Sequence, residues 1–137
     1  MSTRATISFH TEEVSKHNII TQDPIATLYS HYDGYEEGVI PFLLPAVQKF
    51  DNERGISDMH YGAVRVIQNY IENRGHTNDA LGYGLHPANQ RFNLGIEYHY
   101  TIDPKTIKVW EMKWTDDDKT PEYPVLIATH NIKEDVK

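Results

Sequence analysis

The sequence predicts a single α+β domain, with an antiparallel sheet of about five strands and two helices on one face, in the order ββααβββ. Apolar residues alternate with polar ones near both ends of the chain, and two apolar stripes at helical spacing lie between them. The length of 137 residues suits one hydrophobic core. We therefore expect residues 1–137 to form one domain.

The first two predicted strands lie near the start of the chain. In residues 4–10, Ala5, Ile7 and Phe9 alternate with polar residues, which is typical of a strand with one buried face. Residues 25–31 contain several residues that favour strands, and they follow a polar loop that ends at a proline. We expect these two strands to pair as a hairpin.

Two helices are predicted next. The apolar positions in residues 40–50 recur at helical spacing, but Pro45 removes a helical hydrogen bond. The first helix is therefore expected either to kink at Pro45 or to begin its regular geometry near it. The second helix is expected to follow Ser57 or Asp58 as its N-cap and to end at Gly75.

The clearest hairpin spans residues 96–113, with a turn at residues 103–106. Ile96, Tyr98 and Tyr100 alternate with polar residues, so a period of two predicts that these three side chains share one buried face. The remaining segments are an irregular connection and a last strand, at residues 76–93 and 124–132.

The charge balance argues against nucleic acid as a direct partner. The chain has 20 acidic and 13 basic residues, a formal net charge of −7, whereas affinity for nucleic acid depends mainly on Lys and Arg. A protein with a basic surface suits this charge better. The absence of cysteine excludes disulfides and thiol nucleophiles, and no stretch resembles a signal peptide or a membrane span. We expect a cytoplasmic location.

Motifs that carry catalysis or bind metals are missing from the sequence. The eight histidines show no spacing typical of metal ligands, and no serine lies in a Gly-x-Ser-x-Gly motif. Gly82-Tyr83-Gly84 lacks the remaining residues of a phosphate-binding loop. We therefore expect no catalytic residue, no metal and no cofactor, and the balance favours a protein that is not an enzyme.

The segment at residues 29–38 is the strongest candidate for a functional site, because it combines tyrosines, a histidine, an aspartate and glycines after a strand. In a functional interpretation, His31 and Asp33 project to one side and share a metal or a proton, or the tyrosines line a small-ligand pocket. In a structural interpretation, Asp33 accepts backbone N–H bonds, and Gly34 or Gly38 adopts a backbone shape that other residues disfavour.

Several segments of the chain resemble a family of small uncharacterised proteins of bacteria, prophages and phages. In that family, a Gly/Ser-Thr-Arg-Ser/Ala start precedes a Tyr-Arg-x-aromatic-Asp-Gly-Tyr-Pro-x-Gly loop and an apolar hairpin. Arg4 and the Asp-Gly-Tyr at residues 33–35 match this pattern, whereas Ser30 and Glu36 replace the family's Arg and Pro. The resembling segments are residues 2–7, 28–38, 96–100 and 107–111.

The resemblance implies a small, phage-linked protein of the host cytoplasm, and it transfers no catalytic residue. Our first hypothesis is a non-enzymatic inhibitor of a host protein, such as a defence or CRISPR-type protein. The host protein has a basic surface, and the inhibitor competes with nucleic acid for that surface. The alternative is a pocket that binds or cleaves a small nucleotide signal. The residues expected to bind the partner or ligand are Arg4, His31, Asp33, Tyr35, Glu36 and Glu37.

Overall fold

The computed structural model describes residues 3–12, 15–16, 19–20, 24–56, 58–75, 83–86, 96–114 and 121–133. Within these ranges the chain forms two α-helices, a six-stranded mixed sheet and a two-stranded ribbon, which confirms the α+β fold class. The elements in chain order are β1 (Ala5–Phe9), β2 (Ser15–Lys16), β3 (Ile19–Ile20), β4 (Ala26–Ser30), α1 (Glu36–Glu53), α2 (Met59–Asn73), β5 (Tyr83–His86), β6 (Tyr98–Ile102), β7 (Thr106–Trp114) and β8 (Pro121–Asn131).

The large sheet has the strand order β5-β4-β1-β6-β7-β8. β1 lies in its interior, antiparallel to β4 and parallel to β6, so the expected pairing of the first two predicted strands is confirmed. The expectation of a wholly antiparallel sheet is wrong, because alternation along a strand carries no information about the direction of its neighbour. The chain between the parallel neighbours β1 and β6 contains both helices, since parallel strands cannot be joined by a tight turn.

Three short strands lie where the sequence predicts irregular chain. β5 pairs with β4 inside the predicted connection, and β2 pairs with β3 inside the predicted polar loop. β5 has four residues and each ribbon strand has two, which is too short for a period of two to be recognised. The rest of the predicted connection at residues 76–93 lies outside the described residues.

β1 is buried on both faces, whereas its alternation predicts a strand with one exposed face. Thr6 and Ser8, on the face away from the apolar core, have no exposed surface. The Thr6 hydroxyl lies 2.7 Å from Nδ1 of His99, and the Ser8 hydroxyl lies 3.1 Å from the Thr27 hydroxyl. These cross-strand hydrogen bonds give the buried polar groups partners inside the sheet.

α1 is one helix that contains both Pro41 and Pro45. The expectation that regular helix begins only near Pro45 is therefore wrong. Both prolines lie on the exposed side of α1. Water can bond there to the carbonyl groups that lose a helical partner, so the prolines cost less than they would in the core. The buried side of α1 packs on the sheet through Val39, Leu43, Val47 and Phe50.

α2 has the predicted ends. Of the two predicted N-caps, Asp58 directly precedes the helix and its carbonyl oxygen accepts the Gly62 amide at 2.9 Å, but its side chain caps no amide, and Ser57 lies outside the described residues. Gly75 follows the helix with φ of 78°, the left-handed geometry that favours glycine at a helix C-terminus. At the other end, a Cβ at Gly62 would overlap the ring of Phe50 in α1. Glycine therefore lets the two helices approach closely where they meet.

The predicted hairpin is confirmed as β6 and β7. Asp103 fixes its turn, since one carboxylate oxygen accepts two backbone amides at 2.9 and 2.8 Å. Ile96 and Tyr100 are fully buried, and Tyr98 is partly buried against the core, as the period of two predicts. The last strand, β8, begins at Pro121, before its predicted start at residue 124.

Candidate functional site

The connection from β4 to α1, residues 31–35, is called the Asp-Gly-Tyr loop below. Asp33 has φ of 54°, in the left-handed region that few non-glycine residues adopt. The sequence led us to expect that geometry at Gly34 or Gly38, and this expectation is wrong. Gly38 is required for another reason, because a Cβ there would overlap the carbonyl oxygen of Asp33.

Gly34 anchors the loop to the sheet. Its amide donates to the carbonyl oxygen of Thr3 at 2.9 Å, and its own carbonyl oxygen accepts a bond from the buried phenol of Tyr100 at 2.5 Å. A Cβ at Gly34 would lie 2.7 Å from the Cβ of Ala5, tighter than packed carbon atoms allow. The start of α1 is therefore held against β1 and β6 through one glycine.

Arg74, directly after α2, clamps the other side of the loop. Its Nη1 donates to the Tyr70 hydroxyl at 2.7 Å and to the Ser30 hydroxyl at 3.3 Å, and its Nη2 donates to the Tyr32 carbonyl oxygen at 3.1 Å. Nη2 also lies 3.9 Å from the Asp33 carboxylate. The Arg74 side chain is only 4% exposed and that of Asp33 is 60% exposed, so the guanidinium is a structural part of the fold.

The tyrosines around Arg74 remain protonated. The guanidinium lies over the rings of Tyr70 and Tyr83, with Cζ 5.1 and 5.8 Å from the ring centroids. Burial raises the pKa of both tyrosines above the ordinary 10.0, and the charge of Arg74 acts in the opposite direction. The neutral phenol of Tyr70 accepts the hydrogen bond from Arg74 and adds no charge of its own beside the guanidinium.

His31 and Asp33 have different neighbours, although the sequence led us to expect both on one side of an extended chain. The ring of His31 bonds through Nδ1 to the Tyr29 hydroxyl at 2.7 Å. The Asp33 carboxylate faces the Tyr35 hydroxyl at 3.5 Å and Arg74. Because the left-handed backbone at Asp33 ends the extended geometry, side chains two residues apart no longer point the same way. Among the described contacts, Asp33 accepts no backbone amide, so its expected role as a turn cap is not found.

Arg4 directly precedes β1 and His31 directly follows β4, beside the paired residues Ala5 and Ser30. Burial raises the pKa of Tyr29, and the charge of Arg4 acts in the opposite direction. The Arg4 carbonyl oxygen also accepts the amide of Glu97 at 2.9 Å. Thus Arg4 and His31 form one group, whereas Asp33 and its partners form another.

Four carboxylates act by their charge on the phenol of Tyr98, and we call this set of residues the acidic surface. Its members are Glu36 and Glu37 from the first turn of α1, Glu97 directly before β6, and Glu111 of β7. Burial raises the pKa of Tyr98, and the charges of these four carboxylates raise it further. Glu37 and Glu97 are exposed, while Glu36, Glu111 and the phenol are half-buried.

Two carboxylates of the acidic surface have side-chain partners. Nε2 of His130 donates to the Glu36 carboxylate at 2.8 Å, and the Lys113 ammonium lies 2.8 Å from the Glu111 carboxylate. Glu37 and Glu97 form no ion pair within the part of the chain that the structure describes. Their charges therefore face solvent, and the exposed ring of Tyr35 precedes this surface at the N-cap of α1.

The described residues offer less support for a catalytic site than for a binding surface. The hydroxyl of Thr6 and the imidazole of His99 lie at the distance of a nucleophile and its base, but both side chains are fully buried. Over the described ranges, no three His, Asp or Glu side chains are grouped so that they could hold a metal ion. In the same ranges, no helix has the length and apolar character that crossing a membrane demands.

Comparison of the chain with protein-family models, curated proteins and solved structures finds no match. The fold and the site define an α+β protein with an acidic, tyrosine-bearing surface at the start of its first helix. Sequence reasoning selected Glu36 and Glu37 but missed Glu97 and Glu111. The register of the predicted hairpin places Glu111 opposite Tyr98, so that pairing was a signal the sequence offered.

Proposed function

We propose that this chain is a non-enzymatic binding protein whose acidic surface occupies a basic surface of a host protein and inhibits it. The observation that carries the proposal is that four carboxylates, two in the first turn of α1, one directly before β6 and one in β7, all raise the pKa of the Tyr98 phenol. Like charges repel, so such a concentration costs stability unless a partner of opposite sign compensates for it. A complementary basic surface also accelerates encounter and excludes wrong partners.

The aromatic residues support a protein partner. Tyr98 is half-buried among the carboxylates, and Tyr35 is 40% exposed next to Glu36. Tyrosine is enriched in protein interfaces because its large, rigid ring buries much area and its hydroxyl still bonds. The acidic surface thus combines charges that attract a basic partner with aromatic rings that the partner can bury.

The surface is also presented rigidly. Gly34 is bonded on both sides, to Thr3 and to Tyr100, and Gly34 lies directly before the N-cap residue of α1. Carboxylates in the first turn of a helix are favoured by the helix dipole, which helps to fix Glu36 and Glu37. Because these side chains are already held in place, ordering them on binding costs less free energy.

Inhibition follows from what a basic surface commonly binds. Nucleic-acid-binding proteins neutralise phosphates with Lys and Arg, and an acidic surface placed there competes directly with the phosphates. With the resemblance to phage proteins, this chemistry supports a counter-defence inhibitor of the anti-CRISPR type that acts in the host cytoplasm. Its targets are expected among host proteins that bind nucleic acid.

The alternative expected from the sequence, a pocket for a small nucleotide signal, requires Arg4, His31, Asp33 and Tyr35 around one ligand. Arg4 and His31 lie beside Tyr29, whereas Asp33 contacts Tyr35 and Arg74. Tyr32 lies between the two groups: its ring centroid is 4.7 Å from that of His31, and its carbonyl oxygen is 3.1 Å from Nη2 of Arg74. The acidic surface is therefore the better-supported site.

Capture from a fractionated lysate tests the proposal. Bacterial proteins that bind heparin would be passed over the immobilised chain, and the retained proteins would be identified by mass spectrometry. We expect retention of a defined protein that mixed-sequence duplex DNA displaces, because both ligands need the same basic surface. Binding should also weaken as salt rises, since ions screen charges at the interface.

A charge-matched pair of variants supplies the control. The double variant Glu37→Gln and Glu97→Gln removes two exposed charges of the acidic surface, and the double variant Glu12→Gln and Glu72→Gln removes two exposed charges elsewhere. Only the first should lose the captured protein. Equal retention by both variants, or retention that DNA does not displace, would overturn the proposed function.

A further inference from the structure

A second surface lies at the corner between the end of α1 and the start of α2, and it contains two arginines. A cleft of about 170 Å³ opens there. α1 has 18 residues, so its two ends lie about 27 Å apart and the cleft is remote from the acidic surface. The cleft is lined by Phe50, Glu53, Arg54, Tyr61 and Arg65.

Two guanidinium groups flank one phenol in this cleft. Cζ of Arg54 lies 4.1 Å from the centroid of the Tyr61 ring, and Cζ of Arg65 lies 5.2 Å from it. Nη2 of Arg65 donates to the Tyr61 hydroxyl at 2.9 Å. Because a guanidinium cannot accept a hydrogen bond, the phenol oxygen accepts here and its own O–H remains available to donate.

The positive charges of the cleft are only weakly neutralised. Arg54 pairs with Asp58 at 3.2 Å, but both side chains are about half exposed, at 53% and 47%, so water screens the pair. Arg65 has no carboxylate within 4.0 Å in the described part of the chain. Glu53 and Asp58 balance the two arginines in net charge, so an anion would be held by the exposed guanidinium donors beside the Tyr61 ring and not by an excess of positive charge.

We propose that this cleft binds a phosphoryl group, either as free phosphate or as the phosphate end of a small nucleotide. Guanidinium groups match the tetrahedral oxygens of phosphate with paired N–H donors, and the O–H of Tyr61 adds a donor of a second kind. The cleft volume of about 170 Å³ is below the roughly 300–1,000 Å³ of whole drug-sized ligands, so only a small anion or one end of a larger ligand fits inside.

Because Glu53 is acidic, the proposal predicts opposite effects for neutralising it and for neutralising an arginine of the cleft. Its carboxylate lines the same cleft and repels a bound anion. Neutralising Glu53 should therefore tighten phosphate binding, whereas neutralising Arg65 should weaken it. The site is independent of the acidic surface, so its outcome and that of the proposed function are separate.

Calorimetric titration of the full chain at constant ionic strength tests the site with inorganic phosphate, AMP and adenosine. Binding of phosphate and AMP but not of adenosine identifies the phosphoryl group as the ligand, and binding of AMP alone points to a nucleotide source. Binding of adenosine as tight as that of AMP, or binding of none of the three, would overturn the proposal.

Three variants and one control complete the test. Arg65→Gln should weaken the Kd by about tenfold, because charge-assisted bonds are lost. Tyr61→Phe should weaken it less, and Glu53→Gln should tighten it. Lys105→Gln removes the same charge as Arg65→Gln from an exposed turn outside the cleft and should leave the Kd unchanged. Equal weakening by the Lys105 and Arg65 variants would show charge attraction without a site.

Discussion

The buried phenol of Tyr100 donates a hydrogen bond to the carbonyl oxygen of Gly34, which lies 66 positions earlier in the chain. This bond joins the centre of the sheet to the Asp-Gly-Tyr loop and hence to the start of α1. The acidic surface is built on that helix start, so the relationship between Tyr100 and Gly34 connects the stability of the fold to the geometry of the site.

Tyr100→Phe should destabilise the protein by about 1–3 kcal/mol, because it leaves the buried carbonyl oxygen of Gly34 without its partner. Urea denaturation measures the change. Tyr35→Phe is the matched control, since its hydroxyl is exposed and makes only a 3.5 Å contact with Asp33. If both variants unfold at the wild-type urea concentration, the bond does not hold the loop.

Arg74→Gln should cost about 1–3 kcal/mol, because it removes bonds to Ser30, Tyr70 and the Tyr32 carbonyl oxygen from a buried position. The exposed Arg65, changed in the same way, should alter stability by no more than about 0.5 kcal/mol. Thermal melts of the two variants decide the matter. Similar melting temperatures for both would contradict a structural role for Arg74.

The backbone at Asp33 sets the order of a substitution series. Asn tolerates the left-handed region, so Asp33→Asn should be close to neutral, whereas Asp33→Val should cost about 1–2 kcal/mol. Asp33→Gly should match or exceed the wild-type stability, because glycine adopts φ of 54° without strain. The series is measured by urea denaturation. A large loss with Asn equal to that with Val would instead make the carboxylate charge the important feature.

Stability should fall in alkali. Burial raises the pKa of Tyr70 and Tyr100 above the ordinary 10.0, so the unfolded chain loses these protons at lower pH than the folded protein does. The stabilisation is fully present below about pH 10 and is lost as the pH rises further. Urea denaturation at about pH 9 and pH 11 should show the decrease, and Tyr100→Phe should reduce it. A free energy of unfolding that does not change over this interval would contradict the buried, neutral phenols.

The sequence predicted correctly the elements in which a local pattern of apolar residues repeats several times. The stripes of α1 and α2 and the β6–β7 hairpin depend on residues close in the chain, and the turn at Asp103 fixes the hairpin register. The direction of β1 relative to β6 and the pairing of β5 with β4 depend on contacts between distant residues. No pattern within a short segment carries that information.

The candidate site likewise contains residues that a local pattern predicts and residues that only contacts between distant parts of the chain bring together. The Asp-Gly-Tyr loop and the pair Glu36 and Glu37 are contiguous, so composition alone selected them. Arg74 lies 41 positions after Asp33 in the printed sequence, and its bonds to the loop depend on how α2 packs. Tyr100 looked like an ordinary core residue of a strand, and only the folded chain shows that its hydroxyl holds Gly34.

The most direct test of the acidic surface is a displacement measurement. The protein captured by the chain would be bound to fluorescently labelled duplex DNA, and the chain would be titrated in while anisotropy is followed. The wild type should displace the DNA, and the Glu37→Gln and Glu97→Gln double variant should need about tenfold more protein, whereas the Glu12→Gln and Glu72→Gln variant should match the wild type. DNA that stays bound at saturating wild type, or equal displacement by both double variants, would contradict an inhibitor that acts through this surface.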